Sequence, residues 1–312
     1  AKSIDGWSSE MSDHLGYNRS LIKQRSKVAQ MQKDQMKKEV AEKYDVGVVG
    51  LGAVGKALFH VLAFYHNCAG YDIKGSYSWR TVLSTKIVFI CVQTPLGEDN
   101  RLDCRYVEDV LKRLHRDGYS NPIVIRSTLR VGFMSQASER FPSLRIVYSP
   151  EFLRERSSLQ WTAVPDRLVL AGRRRDVNYV QKFLGYAEDA KVIKTDFRTA
   201  EIGKLAHNAF IATKVSFTNE IEKISNELAA SPSTVMEIVS ADRRVKSKEH
   251  LLPGLGPYEG KCVPKDTMEL MQAGGESSRL LRAVHRVNEI TKASSGKKPG
   301  HTEAGIIAAF LR

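Results

Sequence analysis

The stretch Val46-Gly47-Val48-Val49-Gly50-Leu51-Gly52-Ala53-Val54-Gly55 decides how this chain is read. Val46 to Val49 is a short apolar run with β-branched residues, which suits a strand buried on both faces of a parallel sheet. It runs directly into G-x-G-x-x-G and then into a helical pattern from Lys56 to His66. Gly50 allows the tight turn, Gly52 lets a pyrophosphate approach the backbone, and Gly55 lets the helix pack on the strand. The helix N-terminus then faces the phosphates. A second strand ends in Ala69-Gly70-Tyr71-Asp72, an acid about twenty residues past the glycines. Asp72 suits the adenosine ribose hydroxyls and repels a 2′-phosphate, so the spacing points to NAD rather than NADP. Lys74 nearby works slightly against that preference.

Outward from this unit the strands continue. Lys86 to Val92 ends in Gln93-Thr94-Pro95, and Pro122 to Ile125 ends in Ser127-Thr128. Leu144 to Tyr148 ends in Ser149-Pro150-Glu151, and Arg167–Leu170 and Lys191–Ile193 follow. Strands alternating with helical stretches predict an α/β fold, a Rossmann-type doubly wound parallel sheet. Ligands of such sheets lie at the carboxyl ends of the strands, where Thr94, Thr128 and Glu151 all fall.

From Thr199 the pattern turns helical. Thr199 is the expected N-cap, and apolar residues recur from Ile202 to Leu228 before Ser231-Pro232. This predicts one helix of about thirty residues, about 45 Å long. Lys204 and Asn208 are four apart and share a face. The apolar content exceeds one core-facing stripe, so helix 199–229 is expected to be shared between two subunits. Pro232 suits the first turn of the next helix. A loop leads to Gly256-Pro257-Tyr258-Glu259-Gly260-Lys261-Cys262-Val263-Pro264-Lys265-Asp266. Here one thiol sits between two lysines, and neighbouring cations favour the nucleophilic thiolate. Gly260 permits a tight bend where a side chain would be in the way. Taken alone, a cysteine is more often a small buried hydrophobe. A last helix is expected over about Ser278 to Lys292.

With 312 residues the chain can build two domains with real cores. The reading divides it into a basic helical extension at 1–45, a NAD-binding domain at 46–197, a helical domain at 198–293 and a tail at 294–312. No apolar run approaches a membrane span, and the N-terminus lacks the apolar core of a signal peptide. Cys68, Cys91, Cys104 and Cys262 have no metal-ligand spacing, so reduced thiols in the cytoplasm and no metal site are expected. A net charge of +13 favours anionic partners. No DNA- or RNA-binding motif accompanies it, so nucleic acid is disfavoured. The extension carries a helical pattern from about Asn18 to Tyr44; periodicity alone fits a solvated arm and an arm docked on a partner equally.

With these pieces in order, the chain resembles the UDP-glucose/GDP-mannose dehydrogenase family, and most closely its UDP-glucose 6-dehydrogenase branch. The resemblance rests on Gly50 to Gly55, Cys91-Val92-Gln93-Thr94-Pro95, Ser127-Thr128, Ser149 to Glu155 and Pro165-Asp166-Arg167. It continues through Ala200 to Lys204 with Asn208, Lys214 to Glu220 and Gly260 to Asp266. It implies NAD-dependent oxidation of a sugar-nucleotide C6 alcohol to the carboxylate, with two NAD consumed per sugar. In that scheme Lys204 and Asn208 stabilise the alkoxide-like oxygen. Asp266 accepts the proton through a water. Cys262 adds to the aldehyde, giving a thiohemiacetal and then a thioester. Thr128 and Glu151 hold and activate the hydrolytic water. The resemblance further implies Gly50, Gly52, Val54, Gly55, Asp72, Thr94, Thr128 and Lys265 around the cofactor. Around the substrate it implies Glu151, Phe152, Leu153, Glu155, Lys204, Asn208, Arg244 and Gly260.

The chain departs from the family pattern at several places. Glu259 replaces the first of two glycines before Cys262, and a carboxylate pointing inward there would oppose the thiolate. Ser127-Thr128-Leu129-Arg130-Val131-Gly132 lacks the family's proline. The segment from Asp72 to Lys86 is short. The nucleotide-clamping third domain of the family would follow the helix of Asn288, and the sequence stops at Arg312. Two alternatives therefore stand beside the enzyme: a non-enzymatic structural or assembly component, and a NAD-linked dehydrogenase for another small alcohol.

Overall fold

The fold is a computed structural model that describes residues 44–75, 77–153, 157–242, 245 and 250–295. The helix expected before Tyr44 and its docking role, the tail, Glu155 and Arg244 lie outside the described residues. Tyr44 itself is not helical; it is buried, with its ring edge-on to Tyr77.

Among the described residues, seven strands form one sheet in the order β2-β1-β3-β4-β5-β6-β7. They are β1 Val46–Val49, β2 Cys68–Tyr71, β3 Ile87–Ile90, β4 Pro122–Ile125, β5 Arg145–Tyr148, β6 Arg167–Gly172 and β7 Lys191–Thr195. The first five are mutually parallel. The wholly parallel expectation is corrected at β6, which runs antiparallel to β5, with Tyr148 opposite Ala171; β7 then pairs parallel with β6. Reversal places the start of β6, and with it Arg167, on the side where β5 ends.

Successive residues of a strand point to opposite faces. In β3 all four residues are buried: Val88 and Ile90 join one apolar cluster, Ile87 and Phe89 the other. Helices α1 (Ala53–Ala63) and α6 (Arg174–Phe183) cover the second face through Leu58, Leu62, Val177 and Val180. Between them in sequence, α3 (Arg105–Arg116) and α4 (Phe133–Arg140) cover the first face. In α3 the buried Val107, Leu111 and Leu114 recur at helical spacing on one stripe. Two short helices, α2 (Trp79–Leu83) and α5 (Ser158–Ala163), complete this part. Among its described residues, the segment from Asp72 to β3 thus holds only a five-residue helix.

The long helix α7 spans Phe197–Glu227, 31 residues. Its cap is Asp196, not Thr199: the Asp196 carboxylate accepts the Thr199 amide at 2.9 Å and the Thr199 hydroxyl at 2.5 Å. Aspartate outcompetes threonine because its two oxygens take both donors. Helices α8 (Pro232–Ala241), α9 (Val263–Gly274) and α10 (Arg279–Ser294) follow, and α9 and α10 pack on α7. Pro232 opens α8 with Ser231 as its cap. No helix among the described residues is long and apolar enough to cross a membrane.

Candidate active site

Strand β1 lies between β2 and β3, so the chain switches direction along the sheet beside Gly50. Crevices at such switch points receive ligands. A Cβ at Gly55 would stand 1.8 Å from the Gly50 carbonyl oxygen, so only glycine lets α1 start this close to the loop. By contrast, a Cβ at Gly52 would meet no atom within 4 Å, and no side chain caps the first turn of α1. Open space over uncapped backbone N–H groups is what a pyrophosphate requires. Asp72 accepts the Leu51 amide at 2.8 Å and the Lys74 amide at 3.1 Å. These two bonds, the Leu51 one first, hold its carboxyl below the usual range. Its remaining lone pairs can take ribose hydroxyls. Val54 is half-buried at the start of α1, and the residues present fit a dinucleotide.

On the far side of the crevice, α7 and α9 bring four expected residues together. The Asn208 amide donates to Asp266 Oδ2 at 2.6 Å, and Lys265 Nζ donates to Asp266 Oδ1 at 2.7 Å. Asp266 is wholly buried, and Lys204 and Asn208 are buried beside it. Lys265, expected beside the cofactor, thus also holds the carboxylate of this cluster. Burial pushes the Lys204 ammonium's pKa down and the charges of Lys265 and Arg167 add to this; Asp266 and Cys262 oppose it. Cys262 is the exposed residue at the N-cap of α9, whereas Cys68, Cys91 and Cys104 are buried. Glu259 is exposed. Gly260 has φ +91° and open space around its Cβ position, so the turn needs glycine for its left-handed backbone and not for lack of room.

The loop after β5 reaches the same place. The Phe152 ring lies under the Arg167 guanidinium at 4.1 Å and Lys204 Nζ at 5.2 Å, and meets His207 edge-on at 5.4 Å. Leu153 is half-buried beside it in sequence. Glu151 accepts its neighbour Phe152's amide at 2.9 Å and forms a short ion pair with Arg126, which also donates to Ser149 Oγ at 2.9 Å. Thr94 Oγ donates to the Thr128 carbonyl at 2.7 Å, joining the loops after β3 and β4. Among the described residues no cluster of metal-ligating side chains occurs.

Four contributors escaped the sequence reading. Arg126 ends an apolar strand, and a charge in such a place signals a buried partner. His207 shares a hydrogen bond of 3.0 Å with the Asn208 oxygen, so it orients the amide that reaches Asp266. Glu201, in the first turns of α7, is wholly buried and accepts the Gly132 and Met134 amides at the start of α4. Glu269 belongs with them.

Burial, reinforced by Arg167 and Lys204 nearby, pushes His207 from 6.5 down to about 4, against the hydrogen bond to Asn208. Between these two values the unfolded chain binds the proton and the folded chain does not, so this group's contribution to stability falls as pH drops through that window. His207→Gln keeps a donor for Asn208 and is expected to lose less stability than the wild type between pH 6.5 and about 4. Urea unfolding at both pH values reads the difference; equal losses would refute it.

The sheet, the glycine loop and Asp72 define a dinucleotide-binding α/β protein whose crevice faces a lysine–asparagine–aspartate cluster and a thiol. Residues 66–188 match the NAD binding domain, and 198–290 the central domain, of the UDP-glucose/GDP-mannose dehydrogenase family. The chain belongs to that family, and its cofactor is NAD. It is similar to the UDP-glucose 6-dehydrogenase TuaD of Bacillus subtilis (strain 168), with 34% identity over 67% of this chain and 47% of the relative. A UDP-glucose 6-dehydrogenase of Streptococcus pneumoniae is 31% identical over 66% of this chain and 55% of its own length. The chain thus spans about half the length of the curated relatives it matches. The solved UDP-glucose dehydrogenase of Pyrobaculum islandicum superposes with TM-score 0.72 at 26% identity, covering 81% of this chain and 69% of that one.

Proposed function

We propose that this chain oxidises the C6 alcohol of a sugar nucleotide of the UDP-glucose kind to the carboxylate. The observation that carries this reading is the buried Asp266, held by Asn208 and Lys265 beside Lys204, on the helix whose N-cap is Cys262. Bound NAD supplies the hydride acceptor for each of two oxidations. Lys204 and Asn208 stabilise the oxygen as its proton leaves. Each Asp266 oxygen keeps lone pairs for a water that relays that proton. Cys262 sulfur then bonds to the aldehyde carbon; the adduct's second oxidation leaves a thioester, which water splits into carboxylate and thiol. Thr128 and Glu151 hold this water. With its charge already balanced by Arg126, Glu151 orients the water more than it takes its proton. Phe152, Leu153 and Gly260 border the sugar.

Absorbance of reduced nicotinamide tests this. Two NADH are expected per UDP-glucose, and Cys262→Ser is expected to lose the second. NADH from another alcohol only would move the assignment to a different dehydrogenase. No NADH despite NAD binding would overturn the enzyme and leave the structural or assembly role.

The chain is also read as a homodimer through α7. Phe210 is 63% exposed and Phe217 44%, with Ile224 and Leu228 continuing the same stripe. Burying such a stripe drives association. Phe217→Asp is expected to turn a dimer into a monomer in sedimentation; a wild type that sediments as a monomer would refute the reading.

A further inference from the structure

We propose that Glu269 is a positioning residue that holds the Cys262 end of α9 in register with the two loops lining the cofactor side of the crevice. What that register serves rests on the proposed function. Glu269 lies three residues beyond Asp266, on the same side of α9. Its side chain is wholly buried. It accepts Arg101 Nε at 3.1 Å on both oxygens, Arg101 Nη2 at 2.9 Å and the Leu102 amide at 2.8 Å, with the Val131 amide at 3.4 Å.

These donors come from different loops. Arg101 and Leu102 belong to the segment after β3, and Val131 to the segment after β4. Leu96 and Leu102 form an antiparallel bridge, the Gly97 amide donates to the Arg101 carbonyl at 2.7 Å, and Asp103 to Pro95 at 2.8 Å. Arg101 is therefore one short hairpin away from Thr94, whose hydroxyl reaches the Thr128 carbonyl at 2.7 Å. One carboxylate thus joins the helix of Cys262 and Asp266 to both loops.

An apolar side chain of similar volume could fill the same space. A buried carboxylate is sustained only by its donors. What it adds is direction: charge-assisted bonds from a forked guanidinium and a backbone amide fix both distance and angle. A site in which one α9 residue must meet a carbon held against the cofactor depends on such geometry.

The test follows Cys262 alkylation by iodoacetamide, with and without ADP-ribose; Cys262→Ser identifies the product by mass. ADP-ribose suits the Gly50–Asp72 end and lacks the nicotinamide ring, so the ring cannot shield the thiol. In the wild type its binding is expected to change the alkylation rate about fivefold or more, the usual span of coupling between sites. Glu269→Gln is expected to shrink that change to less than about twofold, with ADP-ribose affinity within about threefold. Arg101→Met, on the more exposed partner, is expected to do the same. Both should lower kcat about tenfold with little change in KM for NAD, a pattern a purely structural role would not produce. Folded variants that keep the wild-type response, or a wild type with no response, would overturn the proposal. A wild type that never reduces NAD would overturn the proposed function and leave the alkylation result standing.

Discussion

Replacing Lys204 with Met is expected to lower turnover by about 10²–10³-fold, as loss of one donor to a developing oxyanion does elsewhere. The methionine chain fills the space of the lysine stem in this buried position, against Phe152. Asp266 keeps both hydrogen bonds, from Asn208 and Lys265, so the carboxylate is not stranded. Burial already disfavours the Lys204 ammonium, and an apolar isostere should therefore spare the fold. Lys204→Arg is not expected to rescue, because a planar fork cannot occupy the place of a compact ammonium. NADH binding and steady-state rates measured on the same preparation check this. Turnover within about tenfold of the wild type would remove Lys204 from the chemistry.

The second large effect falls on stability. Arg126→Met leaves the Glu151 carboxylate buried without its cation, and breaking such a pair costs about 3–5 kcal/mol. The side chains of Arg126 and Glu151 are 3% and 10% exposed, so too little solvent reaches the carboxylate to stand in for the missing cation. Adding Glu151→Gln should recover most of the loss, since the neutral amide no longer needs a charge. Urea unfolding of the two single variants and the double variant isolates the pair. A loss below about 1 kcal/mol in Arg126→Met, the range of surface pairs, would mean that solvent reaches the pair.

Much of the sheet was legible because its strands are buried on both faces. Val46–Val49, Ile87–Ile90 and Pro122–Ile125 therefore read as unbroken apolar runs. The direction of β6 was not legible, because an apolar run looks the same read from either face or end. Helical spacing put Lys204 and Asn208 on one face, and both are buried together. The partners of the acids were hidden. Glu201 and Glu269 looked like ordinary helix charges, yet each serves backbone amides on a loop that is distant in sequence.

What the sequence by itself determined is whatever depends on residues within about one helical turn or one strand–turn–helix unit: the glycine loop, Asp72 after it, the face carrying Lys204 and Asn208, and the bend before Cys262. These follow from local sterics and periodicity. The tertiary structure alone decided which charges meet. Arg126 with Glu151 and Arg101 with Glu269 are pairings selected by burial. A charge removed from water must find a partner wherever the packed chain brings one, at whatever distance in sequence.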